Sequence, residues 1–478
     1  MSLDRSSVMG GAYIDTNSGS ARVRFRRALT LTLMTLVMPG SAQLVMGNKR
    51  VGRIAIRVWF GVIAAALLTL LIGLVSRTSL FSIMTNSILT STLRLLMMAV
   101  AILWVGLLLD AWRLGKPLEL RRGHRLTMIG LNAGLCCVTA GALFFGAHIL
   151  NVQNNFIGAV FAAETVSQPH AGRYNVLLLG GDSGKDRDGL RPDSLTVASV
   201  DQETGRTVLI GLPRNLQDIP FPKGSVMEKE WPNGFNCDTC ELNAINTWAN
   251  DHADLFGTKN PGIGATKGAI EEVTGLKINY YALVNMQGFS QLVDAVGGVA
   301  INVKERTAIG GIGSPIRGYI EAGQQELTGD QTLWYARSRV LNDDFSRMGR
   351  QKCVMNAMLQ QLSPQRVLLN VEKIAESSKA LLSTDIPAQD LDVFMDLALK
   401  ARGENVSTVS LVPPVIYTGN PNLKKIRRII ADAIDKSEGK KTKSGGMMSA
   451  ELKPVRSAAE SDKDPREANA ADNLSKVC

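Results

Sequence analysis

Three stretches of this chain carry no charge and are apolar enough to leave water altogether. Residues 58–75 run uncharged and rich in Val, Ile, Leu and Ala. Residues 126–147 do the same over a greater length, and residues 95–109 are apolar between Arg94 and Asp110. In a bilayer core every backbone N–H and C=O must be satisfied within its own segment, so such runs are read as spanning helices, at about 54–76, 92–112 and 126–149. A fourth uncharged stretch, 29–47, has Pro39-Gly40-Ser41 at its midpoint, which interrupts a helix. It reads as re-entrant or interfacial.

The charges orient these segments. A basic amino terminus, residues 1–28 with Arg22, Arg24, Arg26 and Arg27, is expected in the cytoplasm, as is the loop bearing Arg113, Lys116, Arg121, Arg122 and Arg125. Everything after about residue 150 then lies outside, in a multi-pass protein of the cell membrane. Four spans with an outside amino terminus is the alternative, and it leaves the same domain outside. The formal charge of +10 is mainly a topology signal, and no nucleic-acid partner is expected. A cleaved signal peptide is not expected either, because the first apolar segment begins near residue 29 and others follow.

The four histidines (His124, His148, His170, His252) lie apart from the motifs described below, which argues against a zinc site. Cys136 and Cys137 sit inside an apolar run and read as packing residues. Cys237 and Cys240 form a lone C-x-x-C; outside the cell a local disulfide is the better reading and a structural zinc the poorer one. Cys353 and Cys478 carry no message in the sequence.

Residues 151–172 read as a stalk, 173–436 as an α/β domain with a central mixed sheet flanked by helices, and 437–478 as a disordered tail poor in aromatics. Tyr174–Leu179 is a buried-strand pattern. Ser194–Val200 and Thr207–Leu212, joined by Asp201-Gln-Glu-Thr-Gly205, read as a hairpin. Helical periodicity covers 265–273, 286–296, 347–362 and 424–434, and 299–303 and 406–412 are further strands.

Charged groups collect at the ends of these elements. Gly180-Gly181-Asp182 closes the first strand, Arg191-Pro-Asp193-Ser194 opens the second, and Pro213-Arg214 follows the third. Singly, each has a plain alternative as a turn cap or surface ion pair. Further on, Glu326-Leu-Thr-Gly-Asp330 reads as a capped short helix leading to an extended Ala336-Arg337-Ser-Arg339, with both arginines on one side. Arg347, Arg350 and Gln351 stand at i, i+3 and i+4, on one helix face. Arginine forks match phosphate oxygens, and paired carboxylates hold a hard cation, so the combination points to a metal-bridged diphosphate.

These motifs, with Leu242-Asn243-Ala244, Tyr335-Ala-Arg337-Ser-Arg339 and Asp344-x-x-Arg347-x-x-Arg350-Gln351, resemble the LytR–CpsA–Psr family over roughly residues 172–363. The resemblance implies an extracytoplasmic, magnesium-dependent phosphotransferase that moves a glycopolymer from a polyprenyl-pyrophosphate carrier to peptidoglycan. It implies magnesium at Asp182 and Asp193, and the catalytic or pyrophosphate-binding arginines Arg191, Arg214, Arg337, Arg339 and Arg347. Gln351 would complete the pocket, with Arg350, Asn243, Lys185 and Arg187 as further substrate contacts. Phe289, Leu292, Val293 and Val296, facing Val354, Met358 and Leu362, are the candidate wall of a prenyl groove; ordinary core packing is their plain alternative. Two positions depart from the family pattern: Asn215 stands where Asp is usual, and Glu241 where a basic residue is frequent. Three spans also exceed the single amino-terminal helix more usual in the family. A non-catalytic binding protein, a simple polyprenyl-pyrophosphatase and a transcriptional regulator are the rival readings, the last opposed by the topology.

Overall fold

The computed structural model describes residues 16–161, 166–182, 191–258, 260–311, 313–361, 382–440 and 464–478. The chain divides between Asn151 and Val152 into two compact units.

In the N-terminal unit, α1 (Thr16–Val37) stops at Pro39-Gly40, where Gly40 takes φ 96°. A Cβ there would stand 2.7 Å from that of Ala55, so the turn into α2 (Ser41–Met46) requires glycine. The break expected in 29–47 is therefore a sharp corner between two helices. The apolar part of α1, residues 28–37, extends only about 15 Å at roughly 1.5 Å per residue, half a bilayer. Asn48 caps α3 (Lys49–Val75), and a short α4 (Arg77–Thr85) leads to α5 (Ser87–Leu114) and α6 (Arg122–Val160). Helices α3, α5 and α6 are long and apolar enough to cross a membrane. Leu67, Leu68, Leu70, Leu71 and Leu74 of α3 are mostly exposed, which suits hydrocarbon as the surrounding solvent. Because α6 continues to Val160, the first half of the expected stalk is helical. The rings of Phe25 and His124 lie 4.6 Å apart, and Ala28, Leu120 and Met128 are buried together. The basic start of α1 thus lies beside the basic α5–α6 connection.

The C-terminal unit is built on a six-stranded mixed sheet in the order β10-β3-β2-β1-β4-β9. Strands β1 (Arg173–Asp182), β2 (Arg191–Asp201) and β3 (Thr207–Leu212) form an antiparallel meander, as their alternation and the intervening turn predict. Strand β4 (Tyr280–Asn285) adds in parallel to β1, β9 (Leu382–Thr384) pairs antiparallel with β4, and β10 (Val406–Ser410) runs parallel to β3. Leu177, Leu179, Val197, Val208 and Ile210 face one side. There they meet α8 (Ala244–Asp251), α10 (Gly262–Thr274) and a late helix, Leu423–Ser437, with the short α7 (Val226–Glu230) and α9 (Ala253–Phe256) beside them. Leu178, Ala198 and Leu209, one residue out of phase, face the other side.

A smaller core lies under the antiparallel pair β5 (Val299–Val303) and β8 (Gly323–Leu327), next to the short pair β6 (Thr307–Ile309) and β7 (Gly318–Ile320). Helices α11 (Met286–Ala295), α12 (Gly329–Arg337) and α13 (Asp344–Gln361) supply Val293, Tyr335 and Val354 to it. Phe289 and Met358 pack on this cluster from its margin, while Leu292 and Val296 join Ala295 and Phe156 in a separate patch. The expected groove wall is thus divided between two packed clusters, and core packing is the correct reading of Val293 and Val354. Leu362 lies outside the described residues.

The carboxyl terminus departs from expectation. Residues 464–478, read from composition as part of a disordered tail, are packed on the domain. Ala468, Ala471 and Leu474 are buried against Ala198, Leu209, Val406 and Cys353, and Cys478 is disulfide-bonded to Cys353. Thr408 of β10 donates its N–H to the Ala471 carbonyl at 2.7 Å, so this segment covers an edge of the sheet. Lys352 of α13 is fully buried with Ser410 and Asn469 as its partners, and burial pushes its amine down to about 7. The other pair, Cys237–Cys240, forms the local disulfide expected. Truncating Leu474, which has no exposed surface, is expected to cost about 2–4 kcal/mol. Denaturant melts of Leu474→Ala followed by tryptophan fluorescence measure this, and a midpoint equal to wild type would contradict the docked segment.

Candidate active site

Antiparallel pairing brings the end of β1, the start of β2 and the end of β3 together at one end of the sheet's strands. Asp182 registers with Arg191, Gly181 with Pro192 and Gly180 with Ser194, which leaves Asp193 as the extra residue of a β-bulge. A bulge re-aims the side chain it carries. Here the Asp193 carboxylate accepts a hydrogen bond from Arg214 Nη1 at 2.6 Å, and its side chain remains 38% exposed. A Cβ on Gly180 would lie 3.1 Å from that of Ser194, so the close approach of the two strands here favours glycine.

Helices α12 and α13 bring the second half of the constellation. Thr328 and Gln331 form a capping box at the start of α12, the capped short helix read from the sequence. Arg337 is the last residue of that helix, not part of an extended segment, and its guanidinium lies 5.3 Å from the centre of the Trp334 ring. Arg339 is exposed and reaches Asp344 at 3.5 Å. Asp344, in the first turn of α13, takes a two-pronged contact from Arg347 (Nε to Oδ1 3.1 Å, Nη2 to Oδ2 3.0 Å). Arg347 also donates from Nη1 to the Asp193 carbonyl at 3.0 Å. Gln351 accepts from the Ser194 hydroxyl at 3.0 Å and donates to the Ala336 carbonyl at 3.1 Å. Together these contacts tie α12 and α13 to the bulge.

Asp193, Arg214, Arg339, Arg347 and Gln351 are therefore joined in one connected network with exposed Arg191 at its rim. Asp344, quoted in the motif but not singled out, proves to be its hub. The available signal was its position three residues before Arg347 on one helix. Arg350 is a correction. Its side chain has no exposed surface and is directed inward, to the carbonyls of Tyr335 and Ser338 and to Asn342 at 2.9 Å, with Glu305 at 3.6 Å. It braces the α12–α13 connection and does not line the site. Asn243 is buried, and its backbone N–H donates to the Arg214 carbonyl at 3.1 Å, a supporting role. Lys185 and Arg187 lie outside the described residues.

Burial alone would raise the Asp344 carboxyl. The Arg347 hydrogen bonds, with Arg214 and Arg339 nearby, outweigh it and hold that carboxyl below its ordinary value. Burial opposes the charge on Arg214 as well, but the Asp193 hydrogen bond, together with Asp344 and Glu241, leaves its pKa raised. Glu241 is thus close enough to Arg214 to add negative charge there.

A model of the LytR_cpsA_psr family matches residues 152–426. The chain is 32% identical over 200 residues to the polyisoprenyl-teichoic acid–peptidoglycan teichoic acid transferase TagU of Bacillus mycoides, covering 41% of this chain and 55% of that protein. It is 28% identical over 243 residues to the protein of the same name from Oceanobacillus iheyensis, covering 50% and 66%. The chain thus spans between about half and two thirds of the length of these relatives. The crystal structure of TagV from B. subtilis superposes with a TM-score of 0.41 at 21% identity, over 57% of this chain and 99% of that one.

Two measurements check this geometry. Removing the Asp344 charge leaves Arg347 buried without its carboxylate, and Asp344→Asn is expected to cost about 2–4 kcal/mol at pH 7. Since the folded pKa is depressed, that contribution is complete above the ordinary carboxylate value of about 4 and is lost as pH falls through the lower folded value. Urea melts should show the gap between wild type and variant closing in acid; a gap independent of pH would contradict the pairing. Arg350→Gln is expected to lower stability by about 3 kcal/mol, whereas Arg339→Ala should change it by less than about 0.5 kcal/mol. Equal melting temperatures for the two variants would refute the inward placement of Arg350.

Proposed function

This chain belongs to the LytR_cpsA_psr family, and from that premise we propose that its C-terminal unit is a phosphotransferase. It moves a glycopolymer from a polyprenyl-pyrophosphate carrier onto a peptidoglycan hydroxyl and leaves a phosphodiester. The observation that carries this reading is the convergence of Arg214, Arg339 and Arg347 with Asp193 and Asp344 at one end of the sheet's strands. Several arginine forks at one opening suit a diphosphate, whose charge is spread over many oxygens. The apolar helices α3, α5 and α6 support a multi-pass membrane protein, and the charge pattern supports an outside position for the C-terminal unit. The lipid carrier and the cell wall meet on that side.

In this scheme the acceptor oxygen attacks the phosphorus nearest the polymer. The bond from that phosphorus to the bridging oxygen breaks, and polyprenyl phosphate leaves with the electron pair. Arg214 and Arg347 stabilise charge on the transferred phosphate, and Arg337, Arg339 and Arg191 hold the leaving phosphate. The proton of the attacking hydroxyl passes to Asp193 or to water. Two acidic positions at neighbouring strand ends support magnesium as the metal: Asp193 commits one carboxylate oxygen to Arg214, and Asp182 is the last residue of β1. Held by these two aspartates, the ion would neutralise diphosphate oxygens.

The test is transfer of a labelled lipid-linked polymer to cell walls by the full-length protein in proteoliposomes with magnesium. Asp193→Ala and Arg337→Ala are each expected to lower transfer on the order of 100-fold or more with the melting temperature kept, and chelation should do the same to wild type. Unchanged turnover in both variants sinks the assignment. Retention of donor without transfer would mark a holding protein, and release of polymer phosphate to water alone a pyrophosphatase.

A further inference from the structure

Between the end of α5, the tight turn at Pro117–Glu119 and the start of α6 lies a cleft of about 700 Å³. Arg113, Lys116 and Arg125 line it, together with Trp112, Leu118 and Ile129. We propose that this cleft binds the phosphate headgroup of an anionic glycerophospholipid.

Four features support a lipid phosphate. First, the cleft is cationic. Its one carboxylate, Glu119, is already engaged by Lys116 at 3.1 Å, and Arg113 and Arg125 have no ion-pair partner among the described residues. Second, Trp112, which lines the same cleft, has a shielded indole N–H that lacks an acceptor among those residues. Third, the rim is apolar: Leu118 is 85% exposed and Ile129 43%. A ligand with charge at one end and hydrocarbon at the other satisfies both surfaces, whereas free phosphate leaves the rim without a partner. Fourth, the cleft lies at the polar ends of two helices long enough to cross a bilayer, the depth at which headgroups and tryptophan collect. Lys116 takes a left-handed backbone, φ 50°, which L residues rarely adopt, at the turn between α5 and the Pro117–Glu119 segment.

Native mass spectrometry of the full chain, released from detergent with added phosphatidylglycerol, reads the binding directly and independently of any transferase activity. Phosphatidylglycerol should be retained where phosphatidylcholine is not. Arg113→Gln with Arg125→Gln should weaken retention on the order of tenfold or more. Trp112→Phe, which keeps the ring and drops the N–H, should weaken it about threefold. Full retention by the double variant overturns the proposal, as does equal binding of phosphatidylcholine. Displacement by inorganic phosphate at comparable concentration would assign a free-phosphate site instead, and tighter binding of polyprenyl phosphate would assign a different lipid; either result overturns the glycerophospholipid reading. Should the double variant fail to insert, Trp112→Phe decides alone, and an unchanged affinity there sinks the idea.

Discussion

The paired contact between Arg347 and Asp344 is the interaction on which the candidate site depends. It is nearly buried: the Arg347 side chain is 6% exposed and that of Asp344 26%. Removing such charges from water is costly, and their attraction repays that cost only when the remaining donors and acceptors are satisfied. Here they are. Two arginine nitrogens meet the two carboxylate oxygens, and the third donates to the Asp193 carbonyl. That last bond crosses from α13 to the sheet and lands on the bulged residue. Position along α13 therefore sets the position of the Asp193 backbone, and with it the carboxylate that holds Arg214.

The rear of α13 is fixed as firmly as its front. Gly349 has the Pro465 carbonyl directly against it, with no room for a side chain, and Asn469 donates to the Phe345 carbonyl at 2.8 Å. Arg466 reaches Asp343, the residue whose carboxylate accepts the Ser346 N–H at 2.7 Å in the first turn of the helix. The terminal segment thus presses on the face opposite Arg347 and Gln351. A helix held on both faces keeps its arginines in one geometry, and ordering such side chains beforehand lowers the entropy lost on binding.

How much of this was legible in the sequence depends on whether the signal was local. Continuous apolar length reports spanning helices directly, and α3, α5 and α6 fall where the uncharged runs are. The β2–β3 hairpin was equally plain, because alternation and turn residues both mark it. Strand β4 was not read: Tyr280–Asn285 is a short apolar run passing straight into α11, and periodicity cannot separate such a run from a helix. Arg350 shows a subtler limit. Three residues along a helix leave a side chain about 60° away from its predecessor. Arg347 and Arg350 share a face loosely enough that one turns to the site and the other to the interior. The terminal segment was missed because its docking rests on three small or aliphatic residues, Ala468, Ala471 and Leu474, in a polar stretch.

The departures at Asn215 and Glu241 become intelligible as charge balance. Asn215 approaches Thr418 at 3.5 Å and brings no charge, whereas Glu241 contributes to the field at Arg214. One acidic position is lost and another gained within the same neighbourhood. Each of Arg214, Arg339 and Arg347 already has a carboxylate in the resting protein. In the reaction proposed above, a diphosphate would therefore exchange with carboxylates and not with water alone. Such an exchange gives up affinity for any single phosphate, since each new bond replaces an existing one. It favours instead a ligand that presents several oxygens at once and a transition state in which their charge grows.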